Sequence, residues 1–245
     1  MSQAINITSE DILYQVKLSC KIPQIIEQII TRKIIHNAAS EAGIKIETEE
    51  IQKAADQMRL MNKLFNAEDT WKWLEKYSLS LDEFEEIVYT NLLSDKLAAH
   101  FFVDKVEGYF YEHQLDYVGV AIYEVMLDDE DLIWELFYAI KAGETSFFDV
   151  AHKYIHDVEL QRRCGYLGIV RRQDLNAEVS AAVFAAKPPQ LLQPIVTAKG
   201  VHLIFIEEII QPQLDGKVYQ EIVATLYYQW LKVQTNKAEF NIKLD

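Results

Sequence analysis

Two cysteines, eight glycines and five prolines among 245 residues supply neither a disulfide framework nor a low-complexity tract. Cys20, read as part of an apolar helix, and Cys164, in a glycine-containing turn, are expected as free thiols, which fits a reducing compartment. Basic residues are also few. Lys and Arg number 24 against 38 Asp and Glu, a formal net charge of −14. Nucleic-acid binding rests on clustered cations neutralising phosphates, so this balance argues against it, and against an anionic membrane surface too. No window approaches the roughly 18 apolar residues of a spanning helix, so no membrane insertion is expected. The opening MSQAINITSEDILYQVK lacks a basic leader, an unbroken apolar stretch and a small-residue cleavage site. The expected location is the cytoplasm.

What remains is the composition of an ordinary globular protein, half hydrophobic and a quarter charged. From Ser9 to about Gln114 the chain is helix after helix, with start and stop signals. Thr8 with Asp11, and Ser80 with Glu83, have capping-box spacing. Pro23 opens a helix in which Ile26, Ile29, Ile30 and Ile34 form an apolar stripe, and Gly43 sits where a left-handed cap would end it. Thr48 opens the next, with Glu49 and Glu50 at its positive end, and Asn66 with Asp69 caps another. Met58, Met61, Trp71 and Leu74 are read either as core or as an adaptable peptide-binding surface.

After Leu115 the texture changes. Val118, Val120, Ile122, Val125 and Met126 form a strand pattern, followed by a helix with Leu132, Leu136 and Ile140 that Gly143 stops. A short helix from about Ser146 to Tyr154 precedes the turn Cys164-Gly165-Tyr166-Leu167-Gly168 and its short strand. A third helix lies near Glu178–Phe184, and a last strand spans Val201–Ile206. The order predicts a small α+β domain at 116–213 with its helices against one sheet. A helical domain at 1–115 is completed by an amphipathic helix within 214–245, which carries Val218, Ile222, Leu226, Trp230 and Val233.

The middle segment resembles the parvulin family of peptidyl-prolyl cis-trans isomerases. The glycine turn at 164–168 stands on a GGDLG-like pattern, and Val183-Phe184 on the family's VF or AF. Pro194-Ile195-Val196-Thr197 stands on PVxT, and Gly200-Val201-His202-Leu203-Ile204 on the FGYHII close. The flanking helices resemble the SurA and PrsA type of foldase chaperone, which implies a mainly helical, chaperone-like domain wrapped around an inserted parvulin domain, itself a small antiparallel sheet packed by helices. Relatives of that type are exported, whereas this sequence shows no export signal.

The resemblance implies a foldase acting on X–Pro bonds of unfolded or precursor polypeptides, without cofactor or metal. The alternative is a non-catalytic peptide-binding chaperone or maturation factor with a degenerate parvulin site. Rotation about an X–Pro bond meets a barrier of about 20 kcal/mol, because the C–N bond has double-bond character, and it needs no covalent step. A catalyst needs an apolar cup for the proline ring and polar groups near the carbonyl. Leu175 and Phe184 match the family's pocket positions, and Val179 stands where a second Phe is usual. His202 matches the active-site histidine of the last strand, and Asp157 the family's catalytic Asp or Cys. Parvulins place another histidine on the first strand, and Glu124 replaces it here. It either hydrogen-bonds His202 or faces water on an edge strand. His152 and His156, beside Asp149 and Asp157, have helical spacing, yet no HExxH or cysteine pattern supports a metal.

Overall fold

Local capping chemistry starts most of the helices. The computed structural model describes residues 6–243, so the reading of the N-terminal leader falls partly on residues 1–5, outside the described range. In chain order come α1 (Ser9–Leu18), α2 (Ile22–Glu41), α3 (Thr48–Met61), α4 (Ala67–Tyr77), α5 (Leu81–Phe102) and α6 (Val106–Glu112). Next are β1 (Gly119–Leu127), α7 (Glu130–Ala142), α8 (Phe147–Tyr154), α9 (Val158–Arg162) and β2 (Tyr166–Val170). The chain continues through α10 (Ala177–Ala185), β3 (Gln190–Leu191), β4 (Ile195–Thr197), β5 (Gly200–Ile210) and α11 (Gly216–Lys237). Thr8 and Ser80 form complete capping boxes with Asp11 and Glu83. Asn66 caps α4, and Gly43 and Gly143 take the left-handed conformation just past α2 and α7. Cys20 departs from expectation. It lies in the exposed turn between α1 and α2 with φ at 55°, because Ser19 already ends α1 by returning its hydroxyl to the Gln15 carbonyl.

The chain divides into two units, one running to Val106 and resuming at Gly216, the other spanning Glu107–Asp215. The first division falls before the expected 115/116. The reason is packing within the second unit, where Phe110 of α6 is buried with its ring 5.8 Å from that of Tyr117.

In the helical unit α5 is the central element, contacted by α2, α3 and α11. Leu93, Leu97 and Ile222 are fully buried there. Tyr227 of α11 lies under Phe102, and its hydroxyl pairs with that of Ser94 at 2.8 Å. Burial of that ring raises the phenol above its ordinary pKa. Leu74, Phe84 and Val88 form a second cluster with Met58, whereas Trp71 and Met61 are largely exposed. The four residues read together from the sequence thus separate into core and surface. No helix of the described residues is long and apolar enough to cross a membrane.

The second unit is an antiparallel sheet of order β2-β1-β5-β3, with β4 also paired to β5. Alternation along β5 sends Val201, Leu203 and Phe205 into a cluster with Val125, Phe147 and Ala151, on the face covered by α7 and α8. Ile204 and Ile206 join Val120, Ile122, Val179 and Val183 on the opposite face, beneath α10. The observed class is α+β, a mainly helical protein with one small antiparallel sheet, as the sequence reading has it.

Candidate functional site

His202 occupies the α10 side of β5, two residues before Ile204 in the alternating pattern. Among the described residues it is the one polar or charged residue that is buried, at 6% exposure. A buried imidazole needs partners for both nitrogens. Its Nδ1 lies 2.6 Å from Glu124 Oε1, and its Nε2 lies 2.8 Å from Thr197 Oγ1.

The strand register explains both bonds. On β1, Met126 stands directly opposite His202 and Glu124 is two residues further along, opposite Ile204. On β4, Ile195 stands opposite His202 and Thr197 two residues further, opposite Gly200. Each partner therefore approaches on a diagonal of the sheet, from opposite ends, and lies on the same face as the ring. The two-residue link Ala198-Lys199 folds β4 back on β5 and fixes Thr197, whose hydroxyl also accepts the Lys199 amide at 3.1 Å. Glu124 does not stand on an edge strand, because β1 runs between β2 and β5, and its partly buried carboxylate turns to His202. Its backbone amide donates to the Gly165 carbonyl at 2.9 Å, at the turn that was read from the sequence.

The partners assign the protons. A carboxylate only accepts, so Nδ1 carries a hydrogen toward Glu124. In the neutral ring Nε2 accepts the Thr197 hydroxyl. In the doubly protonated ring Nε2–H donates to Oγ1, and the hydroxyl turns to the Gly200 carbonyl, 3.3 Å away. One arrangement of heavy atoms serves both protonation states.

The apolar residues gather beside this strip. Leu175, Val179 and Phe184 belong to a single cluster with Ile204 and Ile195, and α10 packs on β4, the strand of Thr197. Asn176 starts α10 by accepting the Val179 amide at 2.9 Å. Leu175 and Phe184 are half-buried and present surface, whereas Val179 is 3% exposed. Val179 therefore backs the wall instead of lining it, a correction to the expectation that it shapes the cup directly. The Arg172 guanidinium lies 4.3 Å from the centre of the Phe184 ring.

Asp157 stands apart from this arrangement. It is exposed and caps α9, its Oδ1 accepting the Leu160 amide at 2.7 Å, and both nitrogens of His202 are taken by other residues. The helix it starts leads into Gly165, whose carbonyl receives the Glu124 amide. The site residue that the sequence reading did not select is Thr197, although it stands in the PVxT pattern. Among the described residues no group of three His, Cys, Asp or Glu is placed to hold a metal ion. Asp149 is engaged in capping α8 with Ser146.

Comparison with known proteins gives this geometry its context. Residues 128–208 match the family model of the rotamase, PPIC-type PPIase domain. The foldase protein PrsA of Clostridium perfringens strain 13 is 23% identical over 239 residues, which take in 90% of this chain and 68% of that protein. PrsA of Caldanaerobacter subterraneus subsp. tengcongensis is 22% identical over 219 residues, covering 87% of this chain and 64% of that one. Among solved structures, the peptidylprolyl isomerase PrsA of Bacillus anthracis superposes with a TM-score of 0.52 at 16% identity, over 89% of this chain and 99% of that chain. The Bacillus cereus PrsA structure gives 0.52 at 15% identity, over 96% and 90%. A sheet with the parvulin pattern, a matching domain model and foldase relatives along most of the length agree: the chain carries a parvulin-type, PPIC-family peptidyl-prolyl isomerase domain set within a PrsA-like foldase.

Proposed function

We propose that the isomerase acts on proline-containing segments of unfolded or precursor polypeptides, with the work divided between an apolar wall and a polar strip on one face of the sheet. Leu175 and Phe184 take the proline ring, and Val179 supports them from beneath. His202 provides a polar surface where the carbonyl preceding proline turns. Glu124 and Thr197 are positioning residues that hold its ring by both nitrogens. Asp157 is also a positioning residue, acting through α9 and the Gly165 turn.

Barrier lowering of this kind needs no nucleophile and no cofactor. Rotation breaks amide conjugation, and the twisted state is less polar than the planar one. An apolar, partly dehydrated wall therefore favours the twisted state over the planar one, which is the condition for catalysis. A histidine already held by two hydrogen bonds reorganises little as the carbonyl swings past. The observation that carries this reading is the 2.6 Å bond between His202 and Glu124 on the face that bears Leu175 and Phe184.

The helical unit has a hollow of 330 Å³ lined by Ile51, Ala55, Trp71, Leu74, Leu81 and Phe84. We assign it the holding role, in which the exposed Trp71 and the apolar walls receive client side chains. The compartment proposed is the cytoplasm, on the strength of the free Cys20 and Cys164 thiols. Cell fractionation decides that point, and recovery from the exported fraction would overturn it.

A protease-coupled assay on proline tetrapeptides tests the isomerase reading. The expected result is turnover above background that falls on His202→Ala. No rate above background at high protein concentration would sink it.

A further inference from the structure

We infer that Arg172 makes the site select polypeptides that carry an acidic side chain next to the proline, an inference that rests on the isomerase reading above. In a chain of net charge −14, four of the six arginines fall within residues 162–172, at Arg162, Arg163, Arg171 and Arg172. They differ in what they do. Arg162 pairs with Glu159 at 2.8 Å, and the Arg171 guanidinium lies 5.1 Å from the Tyr117 ring centre. Arg172 is exposed and sits over Phe184, the aromatic of the apolar wall. Among the described residues Arg172 has no carboxylate within ion-pair distance.

The acids of the α9, β1 and 172–174 segments are bonded elsewhere. Asp174 accepts the Arg171 backbone amide at 2.8 Å, Asp157 caps α9, and Glu124 bonds His202. Stacking on an aromatic ring uses the flat face of a guanidinium and leaves its N–H groups directed outward around the rim. Arg172 therefore arrives with its orientation set and its donors open. A carboxylate on the residue beside a proline seated against Phe184 would accept a two-pronged hydrogen bond from it. A lysine at that position would be repelled.

The experiment compares three peptides, Ala-Glu-Pro-Phe, Ala-Ala-Pro-Phe and Ala-Lys-Pro-Phe, each as the p-nitroanilide. Exchange rates and binding are measured on the full chain by NMR, at low and high salt. The expected preference for Glu over Lys is roughly fivefold, the size of a partly exposed ion pair, and it shrinks as salt screens the charges. Arg172→Glu reverses the order toward Lys, and Arg172→Lys retains it, whereas a purely structural role for Arg172 would lower all three peptides equally. Arg163→Gln leaves the order unchanged. Turnover without a Glu preference, or a preference that survives Arg172→Glu, overturns the inference. Absence of turnover with a Glu preference still seen in binding would sink the isomerase reading and uphold selection by Arg172.

Discussion

Glu124 reaches His202 across a diagonal of the sheet: Ile204 stands opposite Glu124, Met126 opposite His202, and the 2.6 Å bond spans the gap between them. A side chain shorter than glutamate would leave Nδ1 without its acceptor. Glu124→Ala is expected to lower kcat/KM by about tenfold, the equivalent of roughly 1.4 kcal/mol for a lost charged hydrogen bond. Glu124→His restores the residue that parvulins carry on this strand and is expected to keep activity. Steady-state rates on a proline tetrapeptide check both.

Thr197 holds the other nitrogen, and a ring at 6% exposure has little water to turn to. Thr197→Val keeps the shape and removes the hydroxyl. It is expected to destabilise the parvulin unit by about 1–2 kcal/mol, the cost of a buried polar atom left unpaired, with Thr197→Ser restoring most of that. Urea unfolding followed by circular dichroism measures the difference.

Val179 stands where the family usually has phenylalanine, yet its side chain is buried against Val183, Ile204 and Ile206. Val179→Phe is therefore expected to overpack the core by about 1–3 kcal/mol and to give no gain in substrate affinity. A fall in KM without loss of stability would place Val179 in the pocket instead.

Gly165 has φ at 84°, and a Cβ there would lie 2.6 Å from the backbone oxygen of Glu124. Neither that oxygen nor the backbone conformation yields cheaply. Gly165→Ala is expected to cost more than about 1 kcal/mol and, by pushing on β1, to lower activity together with stability. Wild-type activity at wild-type stability would contradict this route from the turn to Glu124.

Acid should loosen the fold through its helix caps. Glu83 is held below its ordinary pKa by the Ser80 backbone amide and then by the Ser80 hydroxyl. Asp149 is lowered by the Ser146 hydroxyl and amide, and Glu50 by the Glu47 amide and Lys96. A carboxylate depressed in the folded state adds stability above its unfolded pKa of about 4 and loses it as pH falls through the folded value. Thermal melts are expected to drop below about pH 4, with a shallower drop in Glu83→Gln.

What was legible in the sequence was mostly local. Thr8, Asn66, Ser80 and Gly43 act within one helical turn of their partners, so residue types and spacing identify them. The five-residue α9 and the two-residue β3 are too short for any periodicity to register, and both went unread. The Glu124–His202 bond joins residues 78 apart in sequence. It depends on the pairing register of β1 with β5, so the residues alone left it open against an exposed Glu124. Asp157 was singled out by family position, and its cap on α9 shows only in three dimensions. Thr197 was visible as part of a motif, but its service to His202 follows from the fold-back of β4.

Two-dimensional exchange NMR on a proline tetrapeptide, recorded with the protein at substoichiometric concentration, tests the central claim most directly. The account predicts cis–trans exchange cross-peaks that weaken in His202→Ala, together with intermolecular contacts from the proline ring protons to Leu175 and Phe184. Proline contacts confined to the helical unit, or exchange undiminished by His202→Ala, would contradict it.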